Sequence, residues 1–425
     1  MSEPYVVEPL PAGFDVEVKV PGSKSLTNRA LVCASLAPGT SELSGVLYAD
    51  DTEAMVECVE RLGATVRANR PSALAEVDGT GGRLVAGPVE LDTRLSGTTS
   101  RFVLPITAIG PGPYRIDGAP ALRVRPMADG LAVLRAANLT VLEEGEPGHL
   151  PVTVSGWWHP IGDVVVPGDV SSQFLSGVLL AAPCFAIDTT IVLRGGLVSE
   201  PYVAMTLAVM ESFGAEVDRP SADRFQVRSG RYHPTEYVIE PDASAASYFF
   251  AAAAIGGGRV CVRGLGRGSL QGDLAFVEVL ERMGARVTIG DDATTVEGTG
   301  ELHGVSVDLR DFSDTAQTLA VTAVFADGPT RIEGIGFIRR KETDRIGAVV
   351  RELERVGVRA EALPDGLIVH PGRPTAGRVE TYDDHRMAMS FALLGLRTPG
   401  IAIADPGVVA KTFPDFFGRL AGLRA

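Results

Sequence analysis

One pattern of apolar and polar positions returns along this chain at a nearly fixed interval. It is a run with apolar residues three and four apart, closed by Gly-Ala or Gly-Val and followed by a short alternating stretch. The first part predicts an amphipathic helix and the second a strand. The copies ECVERLGATV, LAVMESFGAEV, VEVLERMGARV and VRELERVGVRA close at Gly63, Gly214, Gly284 and Gly357. GLAVLRAANLTV has Asn138 at the closing position, the other residue that accepts a left-handed turn. DFFGRLAGL supplies a weaker sixth copy ending at Gly422. A second pattern keeps the same period: an apolar helix, a Gly or Pro turn, a β-type run and a closing residue. The closing residues are Gly45, Gly118, Gly195, Gly264, Gly334 and Asp405, in steps of 69 to 77 residues.

Six copies of about 71 residues fill the 425-residue chain, so the repeat is the architecture. Each βαβαββ-like unit is too small to bury a core alone. The prediction is an α/β protein of two domains with three repeats each. Their bounds are 21–240 and 1–20 plus 241–425, with hinges near 20 and 240. The Pro-containing stretch YHPTEYVIEPD holds one crossover, and the strand around Val16–Val20 is assigned to the second domain.

Charge narrows the function. Asp and Glu number 53 against 39 Lys and Arg, a net charge of −14, which argues against a nucleic-acid or anionic-membrane surface. No apolar run approaches the roughly 20 residues that span a bilayer, and MSEPYVVEPL lacks the basic-then-apolar order of a secretory signal. Cys33, Cys58, Cys184 and Cys261 stand singly in apolar segments, as in a cytoplasmic protein. The six histidines show no ligand spacing, so no metal site is expected.

Only four of the 39 basic residues are lysine: Lys19, Lys24, Lys341 and Lys411. Arg replaces Lys at most surface sites but not where a compact ammonium must fit or a proton must be released. The surviving lysines are therefore functional candidates, except Lys19, which sits in an alternating strand-like stretch.

The first helix of every repeat opens on a polar cluster. These are Gly22–Arg29 (GSKSLTNR), Ser96–Arg101 (SGTTSR), Ser171-Ser172-Gln173, Asp242-Ala243-Ser244, Ser313-Asp314-Thr315 and Asp383-Asp384-His385-Arg386. Capping accounts for the Ser, Thr and Asp residues, and for Asp242 it suffices. It does not account for Lys24, Arg29 and Arg386, because cations oppose the dipole at a helix start. Together with free N–H groups they suit bound anions. Arg339–Arg345 (RRKETDR), Lys411 and the pair Arg123 and Arg125 add further cations, pointing to a substrate that carries phosphate or carboxylate.

Five of these motifs, PGSKSLTNR, SSQ, KETDR, DDHR and KTFPD, resemble those of the EPSP synthases, the 3-phosphoshikimate 1-carboxyvinyltransferase family, in the same order from residue 16 onward. The resemblance implies transfer of the enolpyruvyl group of phosphoenolpyruvate to the 5-hydroxyl of shikimate 3-phosphate. It also implies two inverse α/β domains of three repeats each that close around the substrates by hinge motion, no cofactor, and a monomer. It places Asp314 as proton acceptor, Glu342 as proton donor and Lys24 beside both substrates. Lys24, Ser25, Arg29, Ser171, Ser172, Gln173, Ser199, Asp314 and Lys341 fall on shikimate-phosphate positions. Lys24, Gly97, Arg125, Gln173, Arg345, Arg386 and Lys411 fall on phosphoenolpyruvate positions.

Two departures stand out. Leu95-Ser96-Gly97-Thr98 replaces the usual Asn-Ala-Gly-Thr, and Phe337 stands where the family has a shikimate-contacting Asn. Gly97 implies sensitivity to glyphosate, since a side chain there would crowd the phosphoenolpyruvate pocket. The sister enzymes that use UDP-N-acetylglucosamine are the nearest alternative. They usually carry a reactive Cys in the loop that here reads YRIDGAPALRVRP, which has none. A non-catalytic phospho-metabolite binder is the alternative from another class, against which the Lys24, Asp314 and Glu342 set argues.

Overall fold

The computed structural model describes residues 3–11, 13–168 and 172–424. These residues form two compact units, 22–240 and 1–21 with 241–425.

Each unit is built on three nearly all-buried helices. In one they are Lys24–Leu36, Gly97–Ile106 and Ser172–Ala181; in the other Ala243–Gly256, Ala316–Ala323 and His385–Gly395. Ala243–Gly256 shows why such a helix forms. It is rich in Ala, the best helix former, and Asp242 caps it by accepting a bond from the Ala245 N–H at 2.8 Å. It ends at Gly257, whose φ of +68° no β-carbon opposes. Every residue of it is buried, so it needs no polar face. Within the unit, hydroxyls link the three helices where their backbones run close: Ser247 Oγ lies 3.3 Å from Thr318 Oγ1, which lies 3.4 Å from Ser390 Oγ.

Small sheets cover these helices, and their topology repeats. Strands Val89–Asp92, Tyr114–Asp117, Val152–Ser155 and Thr140–Glu143 lie side by side in that order, the first pair parallel and the rest antiparallel. Strands Val164–Pro167, Thr189–Arg194, Arg224–Val227 and Val217–Ser221 repeat the order, as do Ser306–Asp308, Thr330–Glu333, Gly366–Val369 and Ala360–Leu363.

In two repeats the leading strand comes from elsewhere in the sequence. Asp15–Glu17 precedes helix Lys24–Leu36 but pairs in parallel with Arg259–Arg263. Glu236–Val238 precedes helix Ala243–Gly256 but pairs in parallel with Pro38–Ser44. Each unit ties its ends of the crossing segments by one backbone bond: Ser23 N–H to Glu240 O in one, Asp242 N–H to Pro21 O in the other, both 2.8 Å.

The sixth copy departs from the pattern. Gly422 opens a short 3-10 turn instead of leading into strands. Its sheet has three strands, Gly377–Val379 and Ile401–Ile403 in parallel, closed by the N-terminal Tyr5–Val6 running antiparallel.

Candidate active site

In the unit 241–425, four cations and three carboxylates from four successive segments meet. Asp314 lies in the turn Ser313–Thr315 that enters helix Ala316–Ala323. Its Oδ1 accepts from Lys341 Nζ at 2.5 Å and from Arg345 Nη1 at 3.1 Å. Its Oδ2 accepts from Arg386 Nη2 at 2.7 Å, and its backbone carbonyl from Arg386 Nη1 at 3.1 Å.

Arg345 is 2% exposed and opens helix Arg345–Arg355, which Asp344 caps through the Gly347 N–H. It also donates to Glu342 Oε2 at 2.8 Å and to Asp384 Oδ2 at 2.7 Å. Burial works against its charge, but Asp384, Glu342 and Asp314 outweigh it and raise its pKa. Lys411, 8% exposed, reaches Glu342 Oε1 at 3.2 Å. The Lys341 pKa is lowered by burial of the ammonium and by the charges of Arg345 and Arg386, against the pull of Asp314.

The unit 22–240 carries the remaining expected residues. Lys24 begins helix Lys24–Leu36, capped by Ser23, and its Nζ lies 3.1 Å from Asp51 Oδ2. Gly97 begins helix Gly97–Ile106, capped by Ser96. A β-carbon on Gly97 would stand 2.7 Å from Arg125 Cζ and Nη1, so the glycine is the floor on which that guanidinium lies. Gln173 accepts from Arg101 Nη1 at 2.7 Å and donates to Thr98 Oγ1 at 3.1 Å. Ser172 and Ser199 are buried, and Ser199 holds a left-handed φ of +57° before helix Glu200–Ser212. Ser25 is half-buried. Ser171 lies outside the described residues.

Arg29 is placed differently from the others. It is 2% exposed and donates to Thr206 Oγ1, Ser25 O, Ser176 Oγ and Tyr202 O while packing over the Phe102 ring. Burial pulls its pKa down to about 10. Arg123 is spent on a two-pronged bond to Asp117, which leaves Arg125 as the cation of that pair at Gly97. Lys19 is exposed.

Sequence reasoning missed Asp51 and Asp384 as partners of the cationic groups, and Arg101 as the residue that orients Gln173. Their signals were weak: two acids at the start of Asp50–Arg61, the first half of DDHR, and one Arg among many.

The profile of EPSP synthase (3-phosphoshikimate 1-carboxyvinyltransferase) matches residues 11–420. The chain belongs to the EPSP synthase family. Among its relatives in this family, a 3-phosphoshikimate 1-carboxyvinyltransferase of Nostoc punctiforme is 47% identical over 95% of each chain. One from Yersinia pseudotuberculosis is 42% identical over 100% of this chain and 99% of its own. An EPSP synthase structure from Acinetobacter baumannii superposes with a TM-score of 0.82 at 25% identity, covering 99% of this chain and 98% of that one. The enolpyruvyl transferase NikO of Streptomyces tendae shares the fold, with a TM-score of 0.79 at 19% identity and coverage of 99% and 97%. No group of three or more His, Cys, Asp or Glu among the described residues of this EPSP synthase family member could hold a metal ion. No helix among them is long and apolar enough to cross a membrane.

Proposed function

We propose that this protein carries the enolpyruvyl group from phosphoenolpyruvate to the 5-hydroxyl of shikimate 3-phosphate, with Asp314, Glu342 and Lys24 as its proton-transfer groups. The observation that carries the assignment is the knot around Asp314 and Glu342, in which Lys341, Arg345, Arg386 and Lys411 are all held by carboxylates. In the addition step the 5-oxygen bonds to C2 of phosphoenolpyruvate while C3 gains a proton, giving a tetrahedral ketal. In the elimination step C3 loses a proton and the bond from C2 to the phosphate oxygen breaks. Asp314 takes the hydroxyl proton and Glu342 supplies the proton to C3.

Substrate anions drive both roles. When a phosphate and a carboxylate take over Arg345, Arg386 and Lys411, Asp314 and Glu342 lose cationic partners, and a carboxylate that loses cations binds protons more readily. Lys24, Gly97, Arg125, Gln173, Arg345, Arg386 and Lys411 hold phosphoenolpyruvate. Lys24, Ser25, Arg29, Ser171, Ser172, Gln173, Ser199, Asp314 and Lys341 hold shikimate 3-phosphate. Of these, Arg29 acts as much through its packing as through contact. The rest of the catalysis is positioning and fixed charge. The protein acts as a monomer in the cytoplasm, with hinges near residues 20 and 240.

Phosphate release from phosphoenolpyruvate tests the reaction, with shikimate 3-phosphate and UDP-N-acetylglucosamine offered in turn. Release is expected with the first acceptor alone. Release with the second, or with neither, overturns the proposal.

A further inference from the structure

The turn that delivers Asp384 and Arg386 is strained. Tyr382 and Asp383, neither of them glycine, both hold φ at +55°, a left-handed conformation that persists only where the surroundings enforce it. Asp383 is exposed, and the outer side of the turn borders an open surface cavity shared with Arg378, Ala404 and Asp405. The constraint must therefore come from the inner side.

It comes from helix Arg345–Arg355 at two points. At its start Arg345 Nε holds Asp384 Oδ2, and Asp384 Oδ1 in turn caps the N–H of Arg386 at 2.8 Å. Two turns along, Glu352 is fully buried and aims both carboxylate oxygens at the segment 380–382 that leads into the turn. Oε1 accepts from the Tyr382 hydroxyl at 2.5 Å and Oε2 from the Glu380 N–H at 2.9 Å. Arg355 Nε stands 3.3 Å from Oε2, and the Arg351 guanidinium stacks 5.1 Å over the Tyr382 ring. A buried carboxylate with these partners is costly unless each bond is made. Here the bonds converge on the residues just before a substrate-binding cation.

We infer that Glu352 is a positioning residue for phosphoenolpyruvate binding, acting through Tyr382 to hold the left-handed turn that aims Asp384 and Arg386. The inference rests on the assignment of Arg386 to phosphoenolpyruvate made above. Glu352→Gln removes the charge and leaves one acceptor for two donors, so that either the Tyr382 hydroxyl must turn to accept from the amide or the Glu380 N–H loses its partner. Tyr382→Phe removes a single hydroxyl.

Steady-state kinetics with each substrate varied, beside thermal melts, test it. Both variants are expected to raise KM for phosphoenolpyruvate about 5- to 10-fold, with kcat lowered less and KM for shikimate 3-phosphate within about twofold of the parent. A folded Tyr382→Phe with unchanged KM for phosphoenolpyruvate overturns the inference. So does a fall in kcat with both KM values unchanged, the mark of a reduced active fraction. If Glu352→Gln does not fold, Tyr382→Phe decides alone. Arg386→Gln in the same assay separates the two levels: no rise in its KM for phosphoenolpyruvate would unseat the assignment of Arg386 itself.

Discussion

Asp314 accepts bonds from Lys341, Arg345 and Arg386, so its removal tests both its chemistry and its electrostatics. Asp314→Ala is expected to lower kcat by about 100-fold or more, the usual scale for a lost general base, while KM values move far less. An unchanged kcat would remove Asp314 from that role. Lys411 is buried against Glu342, where a compact ammonium fits and a planar guanidinium must displace its neighbours. Lys411→Arg should therefore reduce kcat/KM about tenfold despite keeping the charge, and parental kinetics would refute the lysine argument. Gly97→Ala must push the Arg125 guanidinium aside. It is expected to raise KM for phosphoenolpyruvate several-fold and to weaken inhibition by glyphosate, read from titrations at several phosphoenolpyruvate concentrations. The cations were legible in the sequence because lysine is scarce and Arg at a helix start is unusual. Their acidic partners were not, because 53 carboxylates look alike until folding brings Asp51 to Lys24 and Asp384 to Arg345.

At the scale of single elements, the closing residues of the repeat show what periodicity could and could not reveal. Gly63, Gly214, Gly284 and Gly357 all adopt positive φ, and Asn138 does so at +64°. The spacing thus encoded a backbone conformation, not merely a composition. Asn138 also donates to His159 O at 2.6 Å, which no local pattern could disclose. Asn138→Gly relieves the left-handed backbone but loses that bond, so its stability should stay within about 1 kcal/mol of the parent. Asn138→Val loses the bond and places a branched side chain at positive φ, with an expected cost of about 2 kcal/mol. Urea midpoints for the pair measure the difference, and equal midpoints would refute the backbone account. Gly118 and Asp405 share the spacing of the second pattern but not the positive φ of Gly45, Gly195, Gly264 and Gly334. There the sequence marked the end of a strand without fixing how the chain turns.

The six-fold repeat of the whole chain was legible from spacing alone, whereas the exchange of its leading strands depends on pairing between distant segments. Asp15–Glu17 lies beside Arg259–Arg263, and Glu236–Val238 beside Pro38–Ser44. The C-terminal copy likewise borrows its third strand, Tyr5–Val6, from the start of the chain. Cutting the chain at different places should therefore give unequal pieces. A fragment of residues 22–240 keeps all three of its sheets complete, including the borrowed strand, and is expected to unfold in one cooperative urea transition. Ending the fragment at residue 230 removes Glu236–Val238 and leaves the edge of Pro38–Ser44 unpaired, along with the bond from Ser23 N–H to Glu240 O. Such an edge is a template for self-association, so the shorter fragment should have a lower midpoint and sediment partly as aggregate. The complementary piece 241–425 lacks Asp15–Glu17 and Tyr5–Val6, and should fold only when residues 1–21 are joined to it, for instance through a linker after residue 425. If the fragments 22–230 and 22–240 proved equally stable and monomeric, the borrowed strand would be an ornament of the fold rather than a part of its stability.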